Sequence, residues 1–199
     1  MRQDENYAVH TRDRVEWQDH GAGRAQADGL SVLDTMRAIR DGRLPPPPIA
    51  RLLGFHYVGA EPGEIVIELQ SGQSLENSAE TLHTGVAAAM LDTAMSAAAG
   101  TLLSINQGAV TLDLKISYLK PLAIDSGPIR AIGRVVDHAE PTAFVTGQIH
   151  NGEGSLAVHA IGVVSAITSK EMLSSVPRAV SSKPGIWSTI WRTLEAMAD

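Results

Sequence analysis

A long alanine-rich segment with a single ionisable residue constrains this chain more than any other feature. Residues 84–103 are almost entirely small or apolar, and Asp92 is the only charged residue among them. This composition predicts a helix that is buried on all sides, and a sheet has to surround such a helix. A buried charge has to be paired, neutralised or used, and Asp is a poorer helix former than Ala, so Asp92 is a candidate functional residue.

The same segment has about the length of a helix that crosses a bilayer, but it makes a poor membrane span. Its alanines are only weakly apolar, Asp92 lies near its middle, and no aromatic or basic anchors flank it. The N-terminus is charged and lacks the apolar core of a signal peptide. These features predict a cytoplasmic protein with no membrane partner.

Composition narrows the function classes further. The 199 residues suit one domain with extensions, and the net charge of −6 gives no support for nucleic-acid binding. The chain has no cysteine, which excludes disulfides, thiolate nucleophiles and cysteine-ligated zinc. His138, His150 and His159 fall on separate predicted strands without a carboxylate pattern, so we expect no metal site.

The predicted domain has an extension at each end. Residues 1–29 are polar and are interpreted as a flexible tail, and residues 30–167 form the domain, beginning with a short amphipathic helix. Residues 168–199 contain apolar residues at helical spacing, which predict an amphipathic helix: Ile186, Ile190, Trp191, Leu194 and Met197. We expect this second helix to pack on the protein's own surface, with an oligomer interface and a membrane surface as alternatives.

Six segments have the composition of β-strands. Two precede the alanine-rich helix and form a hairpin, and four follow it. Short turns at residues 124–127 and 151–154 favour an antiparallel meander. The predicted strands cover residues 54–60, 64–70, 109–119, 127–138, 142–150 and 155–167. This order predicts an α+β fold in which one antiparallel sheet curls around a single long central helix.

The first strand after the helix alternates between apolar and polar residues. The apolar set comprises Val110, Leu112, Leu114, Ile116 and Tyr118, and the polar set comprises Thr111, Asp113, Lys115 and Ser117. The alternation predicts that the two sets lie on opposite faces of the sheet and that one of these faces is in contact with water.

Four motifs follow one another in a recognisable order. The matching positions are residues 42–55 upstream, Asn77, His83, Gly85 and Asp92 around the helix, Met90 to Ala94 within it, and Thr111, Asp113, Tyr118 and Pro121 in the following strand. Together they resemble the hotdog-fold thioesterases of the PaaI type over about residues 30–167. The resemblance implies hydrolysis of an acyl-CoA or aryl-acyl-CoA thioester, no cofactor apart from the coenzyme A of the substrate, and a homodimer or homotetramer.

The resemblance also implies roles for individual residues. Asp92 acts as general base toward water or as nucleophile through a mixed anhydride, and both routes stay open. Asn77 and His83 orient the substrate carbonyl or the loop before the helix. Thr111 carries the hydroxyl of the family's Ser or Thr, and either Thr111 or Ser96, which shares a helical face with Asp92, holds the water.

Helix geometry independently predicts a site that two chains share. A helix that begins at Thr84 offers unpaired N–H groups at its N-terminus, and Gly85 N–H is the predicted oxyanion donor. Asp92 follows about 10 Å further along the axis. Attack on a carbonyl needs reacting atoms about 3 to 3.5 Å apart, so one chain does not easily present both groups to one carbonyl. Two antiparallel helices across a two-fold axis bring Asp92 of one chain to Gly85 of the other.

Two positions depart from the family pattern. Thr84 replaces the first glycine after the histidine, and its Cβ is expected to narrow the substrate pocket or to alter the turn. Residues 139–141 replace a Gly-Arg-Arg that is often found there, which removes cations that suit the phosphates of coenzyme A. These departures leave room for a non-catalytic acyl-CoA sensor or lipid-binding module.

The candidate residues also have structural interpretations. Asp92 bound to a hydroxyl such as Thr111 is the structural alternative, although the surrounding pattern favours function. His83 is equally suited to orient the substrate and to play a structural role as a loop or cap residue. A serine such as Ser96 is more often a small residue that a helix tolerates than a catalytic one. A hotdog hydratase or dehydratase is the rival enzyme, but the spacing of His83 and Asp92 fits the thioesterase pattern better.

Overall fold

One antiparallel sheet and one long helix make up most of the described chain. A computed structural model describes residue 27 and residues 29–105, 107–124 and 126–168. The described helices are α1 (Val32–Arg40), α2 (Pro48–Leu53) and α3 (Thr84–Gly100), and the strands are β1 (Phe55–Glu61), β2 (Glu64–Leu69), β3 (Gln107–Tyr118), β4 (Ile129–Ala139), β5 (Thr142–His150) and β6 (Leu156–Thr168). This order confirms the predicted α+β hotdog architecture. The predicted tail and the predicted C-terminal helix lie outside these residues, apart from the last positions of the tail.

The central helix α3 packs against one face of the sheet. Two glycines of the sheet show how close the backbones come. A Cβ on Gly133 of β4 would lie 2.4 Å from the carbonyl carbon and oxygen of Ala94, and a Cβ on Gly147 of β5 would lie 2.6 Å from the sulfur of Met95. Any side chain at Gly133 therefore forces the helix away from the sheet.

One side of α3 is less buried than its composition predicts. The buried side consists of Val86, Ala87, Met90, Leu91, Ala94, Met95, Ala98, Ala99 and Gly100. The opposite side, the open face, consists of the half-buried residues Ala88, Ala89, Asp92, Thr93, Ser96 and Ala97. The prediction of a helix buried on all sides is thus wrong for the single chain, because the sheet covers only one side.

The strand order differs from a simple meander. The order in the sheet is β1-β2-β4-β5-β6-β3, so the turn at residues 151–154 joins neighbouring strands whereas the turn at residues 124–127 does not. After β3 the chain passes the start of α3, where Leu82 N–H donates to the Leu122 carbonyl at 2.9 Å, and then reaches the other half of the sheet. As a result β3 is an edge strand, and within the described residues it pairs only with β6.

A β-bulge in β3 changes the predicted alternation. The register with β6 shifts between Thr111 and Asp113, so Leu112 has no directly opposite residue on β6. Residues before the bulge therefore face the opposite side of the sheet from the one that a regular alternation with the later residues would give them. Thr111 faces α3, as do Leu114 and Ile116 further along. Leu112 is 62% exposed and Val110 is 40% exposed, so these two residues do not share the face of Leu114.

The shorter helices hold the sheet at its other edge. The Ser31 side chain caps α1 by accepting the Asp34 N–H at 3.1 Å, and Arg37 donates to the Ala60 carbonyl and to the Glu61 carboxylate of β1. Helix α2, which the sequence did not predict, follows the proline run and ends at Gly54 in a left-handed conformation. Within the described ranges, no helix is long and apolar enough to cross a bilayer.

Candidate active site

The carboxylate of Asp92 lies on the open face of α3 and has one partner. The Thr111 hydroxyl donates to Asp92 Oδ1 at 2.7 Å, from the strand position that precedes the bulge. Because the bulge reverses the strand's phase, Thr111 reaches the helix even though Asp113 is exposed. This bond fixes the orientation of the carboxylate and leaves its second oxygen without a partner in the described chain.

The N-terminus of α3 forms the second half of the candidate site. His83 caps the helix: its Nδ1 accepts the Gly85 N–H at 3.0 Å, and its carbonyl accepts the Val86 N–H at 2.9 Å. The Gly85 N–H, which is the predicted oxyanion donor, is therefore already bonded. The N–H of Thr84 has no acceptor among residues 27, 29–105, 107–124 and 126–168, as is usual for the first position of a helix.

Asn77 organises the loop that leads into α3. Its Oδ1 accepts the N–H groups of Ala79 at 2.9 Å and Thr81 at 3.3 Å, and its amide donates to the Thr81 hydroxyl at 3.0 Å. Glu80 in the same loop has a positive φ of 58°. These contacts are those of a loop-stabilising residue, which is one of the two roles that the sequence predicted for Asn77.

The hydroxyls of Ser96 and Thr93 point to the helix backbone. Thr93 donates to the Ala89 carbonyl at 2.8 Å, and Ser96 donates to the Thr93 carbonyl at 3.4 Å. Bonds of this kind are common for such residues inside a helix. The structure thus brings Thr111 to Asp92 but leaves Ser96 bonded elsewhere, so the substrate role of Ser96 stays a prediction.

A groove of about 280 Å³ lies beside the N-terminus of α3. Thr84, Tyr118 and Lys120 line it together with apolar side chains such as Leu119 and Val158. The Tyr118 hydroxyl donates to the Thr84 carbonyl at 3.1 Å. The sequence places Tyr118 in a motif without a role. The alternation of β3 puts Tyr118 on the same face as Leu114 and Ile116, and the structure shows that its hydroxyl reaches the helix.

The two halves of the candidate site lie far apart along one helix. Thr84 and Asp92 are eight residues apart on a continuous helix, which corresponds to about 12 Å along the axis. The open face of α3 and the free edge of β3 lie next to each other, and both lack a partner in the described chain. This arrangement suits a second copy of the chain.

A comparison with protein families decides the class of this fold. Residues 79–158 match the family model of the thioesterase superfamily. This match covers 80 of the 199 residues and shows that this part of the chain is similar to the thioesterase superfamily. The matched range contains Asp92, Thr111, Tyr118 and the N-terminus of α3. The prediction of a hotdog-fold thioester hydrolase is confirmed for the fold and for the class of reaction.

Several solved structures share this fold. A thioesterase family protein from Silicibacter pomeroyi is 18% identical, with a TM-score of 0.60 over 67% of this chain and 99% of that one. The PaaI protein of the E. coli phenylacetic acid degradation operon is 19% identical, with a TM-score of 0.60 over 70% and 96%. A protein from Thermus thermophilus is 26% identical, with a TM-score of 0.55 over 60% and 97%. A search of curated protein sequences gave no match.

Proposed function

We propose that a homodimer of this chain hydrolyses acyl-CoA or aryl-acyl-CoA thioesters at two equivalent sites. Each site combines Asp92 and Thr111 of one chain with the N-terminus of α3 of the other. The observation that carries the proposal is the hydrogen bond of 2.7 Å from Thr111 to Asp92 on the open face of an otherwise apolar helix. A carboxylate placed there is held in one orientation and is accessible from the side that the sheet leaves uncovered.

In the proposed reaction Asp92 acts as general base. Its carboxylate takes a proton from a water molecule while the water oxygen attacks the thioester carbonyl carbon. The negative charge that develops on the carbonyl oxygen is stabilised by backbone N–H groups of the partner helix. The C–S bond then breaks, and the thiolate takes the proton from Asp92, which leaves a carboxylic acid and free thiol.

The oxyanion donor in this proposal is Thr84 N–H rather than Gly85 N–H. The Gly85 N–H is bonded to His83 Nδ1, whereas the Thr84 N–H points away from the helix without a partner in the described chain. The partial positive charge of the helix N-terminus adds to this donor. In this proposal His83 caps the start of α3 through its Nδ1, and its Nε2 contacts the substrate.

The dimer is supported by two adjacent surfaces. The outer side of the edge strand β3 pairs with no strand in the part of the chain that the structure describes, and such edges are usually paired or covered. The open face of α3 carries small side chains such as Ala88 and Ala89, which allow two helices to approach closely. Antiparallel pairing of two copies of β3 about a two-fold axis would place the two α3 helices side by side and antiparallel.

Features of the groove support a small-molecule thioester as substrate. It combines apolar walls for an acyl group with the N-terminus of a helix for a carbonyl oxygen. Lys120 supplies a cation at the same groove, although residues 139–141 on the hairpin between β4 and β5 contain none. The proposed reaction needs no metal or redox cofactor, and we place the protein in the cytoplasm.

The proposal is tested by measuring thiol release from a panel of acyl-CoAs and aryl-acyl-CoAs. We expect release by the wild-type protein and a loss of at least about 100-fold in kcat for Asp92→Asn. Asp137→Asn removes an exposed carboxylate from β4, away from the proposed site, and is the matched control, with activity close to wild type. Wild-type binding of acyl-CoA without thiol release would instead support the sensor, and a loss of only a few-fold in Asp92→Asn would contradict the assigned base.

A further inference from the structure

Tyr118 and His83 hold the same peptide group from opposite ends. The Tyr118 hydroxyl donates to the carbonyl oxygen of Thr84 at 3.1 Å, and the N–H of Gly85 donates to His83 Nδ1 at 3.0 Å. That carbonyl and that N–H belong to one planar peptide unit, the bond between residues 84 and 85. The first peptide plane of α3 is thus fixed by two side chains, one from the edge strand and one from the loop.

This peptide lies directly next to the proposed oxyanion donor. The N–H of Thr84 lies on the preceding peptide, which meets the peptide that Tyr118 holds at the Cα of residue 84. Fixing the Thr84 carbonyl therefore limits rotation about the backbone bonds of residue 84. Oxyanion stabilisation depends on donors that are oriented before the reaction begins.

We infer that Tyr118 is a positioning residue that fixes the direction of the Thr84 N–H for the developing oxyanion. The inference rests on the proposed function and adds a second role to strand β3, which already holds Asp92 through Thr111. One strand thereby orients a base near its bulge and a donor near its end. In the proposed dimer these two groups serve different sites, so each β3 strand contributes to both.

A purely structural role for Tyr118 predicts a different result. Tyr118 is 47% exposed and Thr84 is exposed in the first turn of α3, so removing the Tyr118 hydroxyl leaves no buried polar group unpaired among the described residues. We therefore expect Tyr118→Phe to change the melting temperature little. A positioning role shows instead as a fall in kcat with KM unchanged, because the donor acts mainly in the transition state.

The experiment compares Tyr118→Phe in two backgrounds, wild type and Thr84→Pro. Proline at the first helical position keeps the helix but removes the N–H, and the extended backbone of His83, with ψ of 128°, accepts a following proline. We expect Tyr118→Phe to lower kcat about tenfold in the wild type and less than about twofold in Thr84→Pro, where no donor is left to position. An equal loss in both backgrounds, or a change in KM alone, would overturn the inference.

Two further variants keep the test decisive. Tyr57→Phe removes the hydroxyl of the other described tyrosine, which is buried on β1, and serves as the matched control with unchanged kcat. If Thr84→Pro does not fold, 3-fluorotyrosine at position 118 replaces it: this residue keeps the hydroxyl and should retain wild-type kcat, and a loss equal to that of Tyr118→Phe would contradict the inference. Failure of the proposed function itself is seen separately, as full thiol release by Asp92→Asn.

Discussion

At the scale of single residues, the pair of Asp92 and Thr111 links the sequence to the chemistry. The sequence alone singles out Asp92, because one carboxylate in a long apolar helix needs a partner or a task. The family pattern named Thr111 as a hydroxyl that Asp92 could bind, although the alternation of β3 assigns Thr111 to the polar face. The bulge at Leu112 reverses that assignment, and no residue pattern in the strand announces it.

Removing the Thr111 hydroxyl should weaken catalysis without unfolding the protein. We expect Thr111→Val to lower kcat about tenfold or more, because Asp92 loses the donor that holds its carboxylate in place. Ser117→Ala removes an exposed hydroxyl from the same strand and is the control. Steady-state thiol release measures both variants, and wild-type kcat in Thr111→Val would show that the contact is only structural.

The buried phenol of Tyr57 is expected to make the folded protein less stable at alkaline pH. Burial raises its pKa from 10.0 to about 12, so above pH 10 the unfolded chain releases this proton more readily than the folded one. The folded state therefore loses stability as the pH rises from about 10 to 12, by about 2 to 3 kcal/mol from this group.

Denaturant unfolding of the wild type and of Tyr57→Phe between pH 8 and pH 12 checks this expectation. The wild type should lose stability faster than the variant above pH 10, since the variant has no proton to release at this position. Identical slopes for the two proteins across that range would contradict the assignment.

At the scale of elements, the sequence predicts the helices and strands better than their arrangement. The alanine-rich composition marks α3, and alternation marks most strands, because both signals are local. The position of β3 beside β6 depends instead on where the chain crosses the start of α3, through contacts such as Leu82 with Leu122. A short turn signal at residues 124–127 therefore suggested a hairpin that does not form.

The packing of α3 on the sheet depends on glycine at position 133. We expect Gly133→Ala to lower the free energy of unfolding by about 3 kcal/mol or more, because its Cβ would lie 2.4 Å from the backbone of Ala94. Gly72→Ala is the matched control, since Gly72 has an extended backbone and a Cβ added there would have no atom within 4 Å. Chemical denaturation compares the two, and an equally small effect at both sites would contradict the close packing of α3 on β4.

At the scale of the whole molecule, the proposed chemistry depends on a partner chain. The helix N-terminus and Asp92 are about 12 Å apart along one helix, so a single chain offers two half-sites. The sequence predicts this from residue spacing alone. The structure adds the surfaces that would meet, namely the open face of α3 and the free edge of β3.

Complementation between two inactive variants tests the shared site most directly. Asp92→Asn removes the base and Thr84→Pro removes the donor, so each homodimer should be nearly inactive. Mixed dimers contain one site with both defects and one site with neither. After unfolding and refolding an equal mixture, thiol release should recover to about one quarter of the wild-type specific activity. Activity that stays at the level of the separate variants, in a mixture shown by mass to contain heterodimers, would contradict the shared site.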